Sequence, residues 1–174
     1  MKKTIALLLT VCICLSFAGM VSASAASVRW TPVEISDELK AIKDDLEKKG
    51  KMHFLEGAKE EEILDFEEKS EIHLPKKYGE WLMISDGGEF FLPAGVQMYG
   101  VAHKPHIDVN DEDRPDEKYI VIGALASGDP VLCEKECEKI SIYNREKDCI
   151  EDDEVYDDFF AFLIDLYDLL GIGE

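Results

Sequence analysis

The sequence predicts an α+β fold in a single domain, and three observations carry that expectation. An apolar stripe at helical spacing begins the folded part, a run of short β-segments with no room for crossover helices fills its second half, and a more apolar helix closes it. The expected arrangement is amino-terminal helices packed on a mostly antiparallel β-meander, followed by a carboxy-terminal helix, over residues 31–171. A chain of 174 residues with 46% hydrophobic content can bury one core, so disorder is not expected.

The elements follow in order. Thr31-Pro-Val-Glu34 reads as a capping box with proline at the first helical position. Ile35, Leu39, Ile42 and Leu46 then form one apolar stripe. Lys48 and Lys49 suit the negative end of the helix dipole, and Gly50 closes the helix. Residues 57–70 predict a second helix, with Ile63, Leu64 and Phe66 inward and Lys59-Glu-Glu-Glu62 outward as a solvated face.

Residues 74–88 predict a third, short helix at the junction of the helical and sheet halves. Pro75 sits in its first turn, Tyr78, Trp81, Leu82 and Ser85 share a buried face, and Gly87-Gly88 ends it. Leu74, Pro75, Tyr78, Trp81, Leu82, Gly87 and Gly88 are accordingly expected to be framework. Strands are expected at Phe90–Leu92, Val96–Val101, Tyr119–Ala124, Asp129–Leu132 and Lys139–Tyr143. Between them, residues 104–118, rich in proline and acids, read as a long exposed loop. The last helix is expected from about Val155 to Leu170, ending at Gly171, with Phe159, Phe160, Phe162, Leu163, Ile164, Leu166 and Leu170 forming its broad apolar face.

The amino terminus reads as an address, not as fold. Lys2-Lys3, the apolar run Ile5–Ala18 and the small-residue pattern Ala23-Ser-Ala25 make residues 1–25 an expected secretory signal peptide, with an uncleaved membrane anchor as the alternative. Either places the body of the protein outside the cytoplasmic membrane. The formal charge is −19, and removing Lys2 and Lys3 with the segment makes it −21. Such a surface repels phosphate backbones and anionic lipid, so neither nucleic acid nor a lipid surface is an expected partner, beyond an amino-terminal anchor. It attracts a basic protein and speeds its encounter.

The order Leu74-Pro75, Tyr78, Trp81-Leu82 and Asp86-Gly87-Gly88 resembles the core of the SUKH superfamily. The acidic and apolar stretch 61–67, the hairpin 95–101 and the aromatic start of the last helix at 159–163 extend the resemblance over roughly residues 38–166. That group holds the Smi/Knr-type cell-wall assembly regulators and many bacterial immunity proteins. The resemblance implies an α+β fold and a non-enzymatic, protein-binding role, for bacterial members typically the neutralisation of a toxin. The export signal is a departure, since such members usually act in the cytoplasm. A factor of cell-envelope assembly is the alternative the resemblance leaves open.

The residues show no catalytic constellation, and no cofactor or metal is expected. There is no Gly-x-Ser-x-Gly elbow, phosphate-binding glycine loop or His-Glu-x-x-His. His103-x-x-His106 beside the acids of the 104–118 loop is a weak metal pattern, and a solvated loop is the simpler reading. Beyond the signal segment Cys133, Cys137 and Cys149 remain; in an oxidising compartment one disulfide is expected, Cys133 with Cys149 or Cys137 with Cys149. The contact surface for a basic partner is expected at Asp86, Glu89, Asp108, Asp111, Glu112, Asp113 and Asp116, from their place after the third helix and in the long loop.

Overall fold

The computed structural model describes residues 34–172 apart from Ala94, Asp111 and Asp113. The signal segment and the residues 31–33 of the expected capping box lie outside the described residues. The first helix, α1 (Asp37–Lys49), starts later than its sequence suggests. Ser36 is the cap, its hydroxyl accepting the Leu39 N–H at 3.2 Å, with Asp37 and Glu38 in the first turn. Glu34 and Ile35 therefore precede the helix. Leu39, Ile42 and Leu46 are buried and Gly50 is the carboxyl cap, as the periodicity requires.

A two-residue strand, β1 (His53–Phe54), comes next and carries no sequence signal of its own. In α2 (Glu60–Ser70), Ile63 is buried and Leu64 and Phe66 are partly so. Glu67 also turns inward, where its carboxylate accepts the Leu74 N–H at 2.7 Å.

The short helix α3 (Lys76–Leu82) begins after Pro75. Its first N–H groups, on Lys76 and Lys77, donate to the Glu138 carboxylate at 2.7 and 3.2 Å. It stops at Leu82, not at the glycine pair. The Leu82 carbonyl accepts from Ala58 N–H and the Asp86 N–H donates to the Glu56 carbonyl, so the segment before α2 takes up the groups that would have extended the helix. Gly87 and Gly88, at φ +94° and +131°, instead turn the chain into β2 (Gly88–Phe90).

After β2 come β3 (Val96–Met98), β4 (Tyr119–Leu125), β5 (Pro130–Glu134) and β6 (Ile140–Ile142). The pair β7 (Val155–Tyr156) and α4 (Phe159–Leu169) completes the chain. Among the described residues these strands form one seven-stranded sheet in the order β1 to β7, each neighbouring pair antiparallel. The fold is a single α+β domain. Several expected strands are shorter: Phe91 has φ +57° and breaks the first after Phe90. Val155 and Tyr156, expected in the last helix, pair with Ser141 and Ile140, and the helix starts only after Asp158, whose carboxylate accepts the Phe160 and Ala161 N–H groups.

The inner sheet face is packed beneath α1, α3 and α4, and α4 lies against both other helices. Trp81 is fully buried between Phe54, Phe90 and Phe159, with ring centroids at 5.5, 5.3 and 6.1 Å. Phe159, Phe160, Phe162, Leu163 and Leu166 are buried as expected, whereas Ile164 is 56% exposed because it lies on the far side of α4. Ile120 and Ile122 join the inner core by the two-residue period of the strand, and the register shift between Val121 and Gly123 changes the phase of the residues that follow. Tyr119, Val121 and Leu132 form a second cluster with Tyr99, Tyr143 and Ile150.

Candidate protein-interaction surface

The junction after α3 positions the surface. The Asp86 side chain, 0% exposed, sits beneath the segment that follows β3. One carboxylate oxygen accepts the Val101 N–H at 2.6 Å. The other accepts the Ala102 and His103 N–H groups at 2.9 and 2.6 Å and lies 2.9 Å from His103 Nδ1. Gly100 permits this approach, since a Cβ there would stand 2.8 Å from the carboxylate. Tyr78 donates its hydroxyl to the Tyr99 carbonyl at 2.9 Å, and burial pushes its phenol well above the ordinary range. Asp86 is therefore an internal anchor. Expected as a contact residue, it is buried because three consecutive backbone donors and an imidazole converge on it.

From that anchor the loop runs out and back. Gly100 and His106 form a bridge, Ile107 is buried, and Asp108 pairs with Val121 in the line that β3 vacates. Residues 104–118 are thus tethered at one end to the sheet, not wholly exposed as expected. Arg114 holds the outer part, donating to the carbonyls of Val109 and Tyr119. Asp108, Glu112 and Asp116 are exposed, and Asp111 and Asp113 lie outside the described residues. Asp108 and Asp116 accept the backbone N–H groups of Asn110 and Lys118 in local turns.

Glu89 is the remaining expected contact residue. It lies in the middle of β2, exposed, opposite His53 on one side and Gln97 on the other. Gln97 in turn faces Ala124, so His53, Glu89, Gln97 and Ala124 make one row across the sheet. This row ends beside a cleft of about 190 Å³ lined by residues of the 89–97 hairpin and by Ala124, Leu125 and Ala126. The row has no sequence signal, because β1 is only two residues long.

The expected framework is placed as framework. Leu74, Pro75, Tyr78, Trp81, Leu82, Gly87 and Gly88 are all buried. The expected disulfide is not formed: Cys133, Cys137 and Cys149 are free thiols. Cys133 faces Ile140 at one end of the β5–β6 hairpin, whereas Cys149 faces Asn144 beyond its other end. Four residues of strand separate those partners, roughly 13 Å, well beyond the reach of a disulfide. The same separation opposes Cys137, which follows β5 at the Cys133 end. Burial, with Cys137 nearby, pushes the Cys133 thiol far above its ordinary range, which makes it unreactive.

Among the described residues no group of three or more His, Cys, Asp or Glu side chains could hold a metal ion. His103 instead faces Asp86, and His106 Nε2 lies 3.3 Å from the Ala102 carbonyl. No described helix is long and apolar enough to cross a membrane.

No curated protein matches this chain. Comparison with known families matches residues 57–165 to the SMI1 / KNR4 family (SUKH-1), a stretch that runs from the turn before α2 into α4 and contains both Asp86 and the acidic loop. With most of its described fold covered by that match, the chain belongs to the SMI1 / KNR4 (SUKH-1) family.

Proposed function

We propose that this protein is a non-enzymatic binding protein whose acidic rim captures a basic protein partner, and that it acts as an immunity protein against a toxin. Family membership supports the protein-binding class. The observation that carries the basic-partner reading is the charge: 38 acidic against 19 basic residues, with Glu89, Asp108, Glu112 and Asp116 exposed. Inhibition would come from covering the toxin's own basic surface, by steric and electrostatic blockade, with no bond made or broken. The partner need not be a nuclease. The expected signal segment at residues 1–25 favours a toxin met outside the cytoplasm, with the protein secreted or held at the membrane by that segment.

A regulatory role in envelope assembly is the second reading, supported by the regulators that share this family. Co-purification from the native culture, followed by sequencing of the bound protein and of the adjacent genes, separates the two. A basic toxin-domain protein, bound and encoded next door, supports immunity. Envelope-synthesis proteins in both places support the alternative, and an acidic partner contradicts the electrostatic account.

A further inference from the structure

We propose that β7, the open edge of the sheet, takes up an extended segment of the partner as an added strand, with lysine or arginine side chains of that segment held by Asp153 and Asp157. The inference rests on the basic-partner reading above and gives it a mode of contact.

β7 is last in the sheet order and pairs with β6 alone, Tyr156 opposite Ile140 and Val155 opposite Ser141. In an antiparallel pair alternate residues turn their N–H and C=O groups away from the neighbouring strand, so this edge presents backbone donors and acceptors outward. Among the described residues no backbone hydrogen bond outside the β6–β7 ladder engages residues 155–157. Tyr156 is buried against Phe162 of α4, ring centroids 5.4 Å apart, which fixes the strand. By the two-residue period Val155 and Asp157 point to the opposite face, and both are exposed, Val155 by 41%.

The flanks of the strand carry charge. Asp152, Asp153 and Asp157 are exposed, and among the described residues no ion pair engages them. Glu154, between them, has one buried carboxylate oxygen with no hydrogen-bond partner among the described residues. Burial, then repulsion from Glu151, Asp153 and Asp129, raises its carboxyl above the ordinary range, and the Lys147 ammonium opposes this only in part. The segment thus holds more negative charge than its own cations offset, and an incoming cation relieves it.

Each feature selects the occupant. Outward backbone groups call for an extended chain, since a helix bonds its own N–H and C=O groups to itself. Val155 suits an apolar side chain directly opposite, and Asp153 and Asp157, two residues to either side of it, suit flanking cations. A second copy is disfavoured here, because two such acidic segments repel each other. The other end of the sheet differs. There the Lys43 ammonium stands 5.2 Å from the Phe54 ring centroid of β1 and is already paired with Glu47 at 2.7 Å, so that edge attracts no cation. Asp108 lies in the same cross-strand row as Val155, through Val121, Leu132 and Ser141. Four strand spacings separate the two, about 19 Å, so one partner spans both.

The test is an NMR titration of the full chain, following backbone amides, with the peptide acetyl-Lys-Val-Lys-Val-Lys-amide. Its analogue N-methylated at every backbone amide has the same charge and no backbone donor, and serves as the control. Saturable shifts confined to residues 151–158 and 140–141 are expected for the first peptide, with slower hydrogen exchange at the outward amides of 155–157. The N-methylated peptide should bind about tenfold more weakly. The double variant Asp153→Asn, Asp157→Asn should weaken the first peptide about tenfold without moving the melting temperature, because both side chains are exposed and unpaired. Equal affinities for the two peptides would reduce the contact to charge alone and overturn the proposal. Unsaturable shifts over the whole acidic surface would do the same, as would a double variant that binds like the parent. Concentration-dependent shifts at 151–158 in the protein alone would give the edge to a second copy and also overturn it. The outcome is separable from the broader reading. A basic protein that binds parent and double variant equally removes the edge and leaves partner capture intact. Saturable peptide binding in a protein that engages no basic partner does the reverse.

Discussion

Asp86 and Glu89 are three residues apart, yet one is sealed within the fold and the other stands at its rim. Asp86 is 0% exposed and receives three backbone N–H groups, with an imidazole nitrogen 2.9 Å away. Glu89 is exposed in a strand whose flanking residues are buried. The contrast separates two uses of a carboxylate in a strongly acidic chain. A buried one is justified only by donors that converge on it, and it then fixes a loop. An exposed one costs the fold little and remains available to a partner. The junction around α3 thus shapes the surface at which we propose the partner binds.

The largest expected effect lies at the junction. Trp81→Ala removes a fully buried indole from among three aromatic rings, and urea unfolding should show a loss of roughly 3–5 kcal/mol. A variant as stable as the parent would return Trp81 to the surface and dissolve the contrast.

Asp86→Ala comes next. It strands three backbone donors that converge on a buried carboxylate, and a loss of about 3 kcal/mol is expected. Hydrogen exchange should localise the damage, with the amides of residues 100–108 losing protection before those of β4. Uniform loss across the sheet would show that Asp86 supports the whole core and not this loop.

A smaller effect is expected at the start of α4. Burial alone would raise the Asp158 carboxyl, but the Ala161 N–H, the Lys77 ammonium at 2.9 Å and the Phe160 N–H outweigh it and hold it below the ordinary range. Since its folded pKa is depressed, its contribution is complete above the unfolded pKa of about 3.9 and is lost as pH falls through the folded value. Asp158→Ala should cost about 1 kcal/mol at neutral pH and flatten the acid limb of the stability curve. An unchanged acid limb would assign that limb to other carboxylates. Smallest of all is Glu89→Gln, expected to shift stability by less than about 0.5 kcal/mol. A larger loss would make Glu89 a framework residue like Asp86.

Much of this arrangement was legible in the residues, and the gaps have local causes. Leu39, Ile42 and Leu46, or Phe159, Phe162 and Leu166, declare helices because each helix buries one stripe, and periodicity reports burial. The glycine pair was readable as a stop but not as a stop for the strand side of the turn. What ended α3 was the 56–58 segment, whose backbone competes for its last carbonyl and the following N–H. Glu138 capping α3 from 62 residues away left no local trace. The same limit hid the two-residue β1, and with it the row through Glu89. Asp86 reads as surface from its place after the third helix, and only the fold reveals which acid meets converging donors. The Cys133–Cys149 pairing was inferred from number and compartment, and strand geometry keeps those residues apart.

The most direct test of the account is the association rate with the basic partner recovered from the native culture, measured across ionic strength. The parent is compared with a variant carrying lysine at positions 89, 108, 112 and 116. The account predicts a parent rate that falls steeply with salt and a variant rate that is slower and nearly flat, with equal melting temperatures for the two proteins. Equal rates with the same salt slope would contradict it and place the interface away from this rim.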